Sequence, residues 1–113
     1  MQVHTEVTIS AAHHLPLYEG KCADVHGHSW KIEVDIVSKV NKKTGMVVDF
    51  SKIKDIINQL DHKDINDFIP NPTAENIVKF IMVNIKNKLK LPLSAQVRVT
   101  VWESATSWAC DNY

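Results

Sequence analysis

From His28 to Val37 the side chains alternate: Trp30, Ile32, Val34 and Ile36 share one parity, and Lys31, Glu33 and Asp35 the other. Only an extended chain puts every second residue on one face, so this run predicts a strand with one buried and one wet side. Residues 3–13 repeat the pattern, with Val3, Val7, Ile9 and Ala11 on one parity and Gln2, His4, Glu6, Thr8 and Ser10 on the other. A third strand is expected from about Ala95, with Val97, Val99 and Val101 inward and Gln96, Arg98 and Thr100 outward.

Between the second and third strands the period changes. NKKTG (41–45) reads as a turn in which Gly45 is free to take positive φ, and Met46–Val48 is a short apolar run. Phe50, Ile53, Ile57 and Leu60 then recur at helical spacing, which predicts a helix over Ser51–Leu60. Pro70 and Pro72 interrupt the chain, and Thr73 is placed to cap a second helix running to about Lys88, with Glu75 in its first turn. Ile77, Phe80, Ile81, Ile85 and Leu89 are its predicted buried face. The order β, β, α, α, β, with room for one more short strand, predicts an α+β fold: an antiparallel sheet with two helices on one face. At 113 residues, 1–113 is expected to be a single domain. So small a sheet has edges that must be covered or paired, and oligomerisation is one way to do that.

Thirteen basic and thirteen acidic residues balance, so no nucleic-acid footprint and no anionic membrane partner is expected. No apolar run is long enough for a spanning helix, and MQVHTEV lacks the pattern of a secretion signal. The expected compartment is the cytoplasm, where Cys22 and Cys110 are free thiols rather than a disulfide.

The parity that defines the strands also sorts the histidines. His13 shares the apolar parity of Ile9 and Ala11, and His26 and His28 share that of Trp30 and Ile32, whereas His4 and His14 fall on the polar parity. Two paired strands would therefore bring three imidazoles to one side of the sheet, with Gly27 allowing close backbone approach. Three neutral imidazoles suit Zn²⁺ and leave a fourth position open for water or substrate, the catalytic form of a zinc site. The alternative is a set of hydrogen-bonded core histidines without metal. Cys22 is open to three readings: a fourth ligand closing a structural site, a reactive thiolate beside an open one, or a small buried hydrophobe. Glu103 keeps the inward parity of Val97, Val99 and Val101, where an unpaired carboxylate is costly, unless the strand has already ended there. Asp61-His62 at the end of the first helix is either a carboxylate–imidazole pair for general acid–base work or a helix end carrying polar caps.

Taken together, AAHHL (11–15), KCADVHGHSW (21–30), GMVVDF (45–50), LDHKDIN (60–66), NPTAEN (71–76) and VWES (101–104) resemble the 6-pyruvoyl-tetrahydropterin synthase superfamily. The short interval C-x₃-H-G-H resembles its 6-carboxy-5,6,7,8-tetrahydropterin synthase branch, which serves queuosine and 7-deazapurine synthesis. The resemblance implies the T-fold, with subunits closing into barrels as trimers or hexamers and active sites between them. It implies a zinc-dependent lyase that turns 7,8-dihydroneopterin triphosphate into 6-carboxytetrahydropterin, acetaldehyde and triphosphate. The alternatives are the pyruvoyl or an aldolase-like product on the same scaffold, or a non-catalytic zinc protein. By the same resemblance His13, His26 and His28 match zinc ligands and Cys22 the catalytic thiol. Asp61 and His62 match the pair assisting proton transfer, and Glu103 the acid that anchors the pterin ring. His14 stands where many relatives carry a basic residue such as Arg, and Cys110 matches no role.

Overall fold

The computed structural model describes residues 1–20 and 23–113. Strand β1 (Gln2–His13) pairs antiparallel with β2 (His26–Val37) along its whole length, from Gln2 opposite Val37 to His13 opposite His26. Helix α1 (Phe50–Asn58), a 3₁₀ turn (Ile65–Asp67) and helix α2 (Ala74–Lys88) follow. Strand β3 (Gln96–Trp102) then pairs antiparallel with β2, and β4 (Trp108–Asn112) with β3, so the sheet order is β1-β2-β3-β4. The β4 strand fills the place left for one more short strand. Helix α1 lies against β1, and α2 against β3 and β4.

The alternation in the sequence is the alternation in burial. Ile9, Ala11 and His13 on β1, Trp30, Ile32, Val34 and Ile36 on β2, and Val97, Val99 and Val101 on β3 are all buried. They meet Ile53, Ile56 and Ile57 of α1 and Ile77, Val78, Ile81, Met82 and Ile85 of α2 in one core. Both helices differ in detail from expectation. The buried stripe of α1 is centred on Ile53, Ile56 and Ile57, which leaves Phe50 at its margin and exposed. Leu60 is buried but lies in the turn beyond the helix. The α2 stripe is completed by Val78 and Met82, while Phe80 is only half-buried and meets Phe68 edge-on at 6.2 Å. Thr73 caps α2 by accepting from the Asn76 N–H, and Asp49 caps α1 by accepting from Ser51. Gly45 has φ of 72°, as its turn requires.

Two features of the sheet decide where the site lies. First, β3 pairs only with Lys31–Val37, so the His26–Trp30 end of β2 extends beyond it. Second, residues 61–64 run along the outer edge of β1. The His62 N–H donates to Ser10 O at 2.6 Å, the Ala12 N–H donates to Lys63 O at 3.0 Å, and Ala12 bridges Asp64 in parallel. Among the described residues no helix is long and apolar enough to cross a membrane.

Candidate metal centre and its surroundings

His13 and His26 face each other across the last pair of the β1–β2 ladder, and His28 is one inward step further along β2. Their rings lie edge to face, with centroids 4.6 to 5.1 Å apart. Trp30, fully buried, forms the floor, with its ring edge-on to His13 at 4.9 Å and to His28 at 5.1 Å. The indole N–H of Trp30 donates to Ala11 O at 3.1 Å, which fixes that floor to β1.

The hydrogen bonds set the tautomers. His13 Nδ1 lies 2.8 Å from Pro72 O and His26 Nδ1 lies 2.7 Å from Asp24 O. A carbonyl oxygen only accepts, so in each ring Nδ1 carries the proton and donates it. Both Nε2 atoms then present lone pairs, and they face each other at 3.0 Å. Two lone pairs at that distance repel unless a cation sits between them or one ring takes a second proton. His28 Nε2 points to the same place and is a buried atom without a hydrogen-bond partner. These are the features of a donor set arranged around an ion: neutral imidazoles, the far nitrogens oriented by backbone carbonyls, the near nitrogens converging. Burial pushes the His28 imidazole below the ordinary histidine range, more than the facing Glu103 carboxylate raises it, which keeps it in the neutral, ligating form.

Glu103 follows β3 directly, and the register explains its aim. Lys31 is opposite Trp102 and Ile32 opposite Val101, so the next inward position after Val101 sits beside Trp30 and looks toward His28. Its Oε1 lies 3.2 Å from His28 Nε2 and 4.0 Å from His13 Nε2. The shorter contact is not aligned as a hydrogen bond, which is why the His28 nitrogen still counts as unpartnered. One candidate ligand atom from each of His13, His26, His28 and Glu103 falls within 4.8 Å of every other. Beside Glu103 opens a cleft of about 310 Å³, lined also by Ala74, Glu75, Ser107, Trp108 and Ala109.

Asp61 and His62 are in contact, Nδ1 to Oδ2 at 3.1 Å, and are not among the converging ligand atoms. Asp61 Oδ1 accepts the Ser10 N–H at 2.9 Å, and this bond first, then His62, holds its carboxyl below the usual range. The His62 side chain is 80 % exposed. It lines an open depression with Ser10, Ala12, Gly27 and Ser29, which have the parity opposite to the three inward histidines, and with His28 and Ala11 of the inward parity. His62 adopts φ of 57°, the left-handed region, which a non-glycine residue seldom enters. Cys22, like its neighbour Lys21, lies outside the described residues. Cys110 is a half-buried free thiol on β4. Gly27 is not forced by crowding: a Cβ there would meet nothing nearer than Ala11 O at 3.9 Å, so the expected close backbone approach is not found within the chain. The orienting carbonyls of Pro72 and Asp24 escaped the sequence reading because a backbone oxygen has no residue-type signal.

A family model described as 6-pyruvoyl tetrahydropterin synthase matches residues 2–111. A relative from Archaeoglobus fulgidus, bearing a provisional 6-carboxy-5,6,7,8-tetrahydropterin synthase name, is 40% identical over 113 residues, covering 96% of this chain and 93% of its own. The Synechocystis 6-carboxy-5,6,7,8-tetrahydropterin synthase is 37% identical over 95 residues, covering 74% of each. Among solved structures, the Caenorhabditis elegans 6-pyruvoyl tetrahydropterin synthase superposes with a TM-score of 0.82 at 23% identity, over 100% of this chain and 95% of that one. That likeness establishes the shared T-fold of the sheet and its two helices.

Proposed function

The chain belongs to the 6-pyruvoyl tetrahydropterin synthase family, and from that premise we propose that it is a zinc-dependent 6-carboxy-5,6,7,8-tetrahydropterin synthase, with 1–113 acting as one T-fold domain. It converts 7,8-dihydroneopterin triphosphate and water to 6-carboxytetrahydropterin, acetaldehyde and triphosphate, in the cytoplasm, as a step toward queuosine and related 7-deazapurines. The observation that carries the reading is the convergence of the Nε2 atoms of His13, His26 and His28, the first two unprotonated and the third without a hydrogen-bond partner, on one point beside an open cleft. The names of the relatives favour the carboxy product over the pyruvoyl one.

His13, His26 and His28 would hold the zinc, with Pro72 O and Asp24 O orienting two of the rings. When bound, the metal supplies Lewis acidity to the side-chain hydroxyls of the substrate. Glu103, on the wall of the cleft, accepts from the amino group and ring N–H of the pterin, two parallel charge-assisted bonds that orient the ring. Cys22, as thiolate, takes the proton from the substrate side chain. His62, steadied by Asp61 at 3.1 Å, returns or shuttles protons. His62 is exposed and shares only an open depression with His28, and in the trimer or hexamer that the family resemblance implies, it serves the site of a neighbouring copy. The free edges of β4 and of the His26–Trp30 end of β2 favour such an assembly.

The test is product identification. Zinc-loaded protein is incubated with 7,8-dihydroneopterin triphosphate, and products are analysed by mass. The carboxypterin with acetaldehyde is the expected outcome. A pyruvoyl product would move the assignment to the sister activity, and unchanged substrate would favour a non-catalytic zinc protein. Cys22→Ala separates the last case: it loses turnover but keeps zinc and fold if the thiol is catalytic, and loses both if Cys22 is a structural ligand.

A further inference from the structure

The carboxylate of Glu103 has no basic residue opposite it among the described residues: its contacts under 4.0 Å to charged groups are His28 and His13 alone. An inward, two-thirds buried carboxylate that meets no lysine or arginine still needs a cation. The distances say which one. Four ligand atoms about 2.0–2.1 Å from one ion, at tetrahedral angles, stand roughly 3.3–3.4 Å from one another. His13 Nε2 to His26 Nε2 is 3.0 Å, His28 Nε2 to Glu103 Oε1 is 3.2 Å, and His13 Nε2 to Glu103 Oε1 is 4.0 Å. These three of the six edges bracket the tetrahedral value, and the other three are within 4.8 Å. We propose that Glu103 is the fourth ligand of the metal in the substrate-free protein, closing the position that the three histidines leave open.

The inference rests on the metal half of the reading above and adds a constraint to its other half. The carboxylate that anchors the ring is the one that closes the metal, so it cannot do both at once. On substrate entry Glu103 would leave the metal position to the side-chain hydroxyls and turn into the cleft it already lines, where it would meet the amino edge of the ring. A resting protein closed in this way shields its metal from adventitious ligands until a molecule arrives that can satisfy both the metal and the carboxylate.

The experiment uses the full chain loaded with zinc, without substrate. A crystal structure of this form reads the coordination directly, and chelator competition reads the zinc affinity of wild type, Glu103→Gln and Cys22→Ser. The expected result is a Glu103 oxygen at about 2.0–2.2 Å from zinc. Glu103→Gln should bind zinc at least about tenfold more weakly, Cys22→Ser should bind it as wild type does, and the cobalt-substituted protein should show no thiolate charge-transfer band. Water or the Cys22 sulfur in the fourth position, with Glu103 beyond hydrogen-bond reach of the ion, overturns the inference and leaves the three-histidine site standing. Failure of wild type to bind zinc at all overturns both.

Discussion

Loading the metal-free protein with zinc should raise its melting temperature steeply at pH 7.5 and barely at pH 5. Metal that binds the folded chain and not the unfolded one stabilises it by mass action, about 2.7 kcal/mol when free zinc is about one hundred times its dissociation constant. An unfolding entropy of about 2.1 cal/mol/K per residue, over the 113 residues, converts this to a rise of roughly 11 °C. Acid acts against the same nitrogens. At pH 5, about 1.5 units below the free-imidazole value near 6.5, proton competition at one ordinary imidazole costs a metal about thirtyfold in affinity. One such ligand already reduces the gain to about 0.8 kcal/mol, below about 4 °C, and a second removes it. His28 acts separately, on the metal-free chain rather than on the gain from zinc. Burial lowers its folded value, so its contribution to stability is present above the unfolded value and is lost as the pH falls through the folded one. The assay is a thermal melt by circular dichroism at fixed protein concentration, with buffered free zinc at both pH values. A gain of equal size at pH 5 would refute the three imidazoles as donors, and no gain at pH 7.5 would refute the metal site.

Three further outcomes can be checked on the same instruments. His4 bonds Glu6 at 2.9 Å and Asp35 at 2.8 Å, which raise its value, Glu6 first; His4→Gln should therefore destabilise the chain below pH 6 and have little effect at pH 9, when the imidazole is neutral in both states. Thr73→Ala removes the cap of α2 beside the carbonyl that orients His13, and should cost about 1 kcal/mol, or roughly 4 °C in melting temperature. His62→Gly should melt within about 1 kcal/mol of wild type, because glycine relieves the left-handed φ while adding chain entropy, yet turnover should fall by roughly 10²–10⁴.

What the sequence made legible follows from periodicity. A period of two settled β1, β2 and β3, and because a slip of one residue would turn every side chain over, it also settled which histidines converge. The cap at Thr73 was readable because capping is a matter of residue type at one position. Phe50 and Phe80 were misplaced because a stripe of apolar residues does not say where its centre falls. Ser104–Ser107 and the short β4 were hard to read because five residues carry too little alternation to stand out. The path of residues 61–64 along β1 was invisible, since it is built from backbone bonds of Ser10, Ala12, His62 and Lys63 that any residues could make.

That hidden path bears on function more than the legible parts do. The His62 backbone is held in a conformation that costs a non-glycine residue of order 1–3 kcal/mol. It is fixed there by Ser10 from two sides, through the Ser10 N–H on Asp61 and Ser10 O on His62 itself. The imidazole gains no packing from this, being 80 % exposed. A strained residue that returns nothing to the core and still bonds its own carboxylate neighbour fits the proton-transfer role proposed for its ring. The triad and Glu103 sit on the inward parity of the sheet, and His62, at the edge of β1, borders outward residues together with His28. His28 is the member of the triad that borders the same depression as His62, so the proposed chemistry needs a substrate that reaches over the edge of β1 or a second copy that brings its own His62 to the triad.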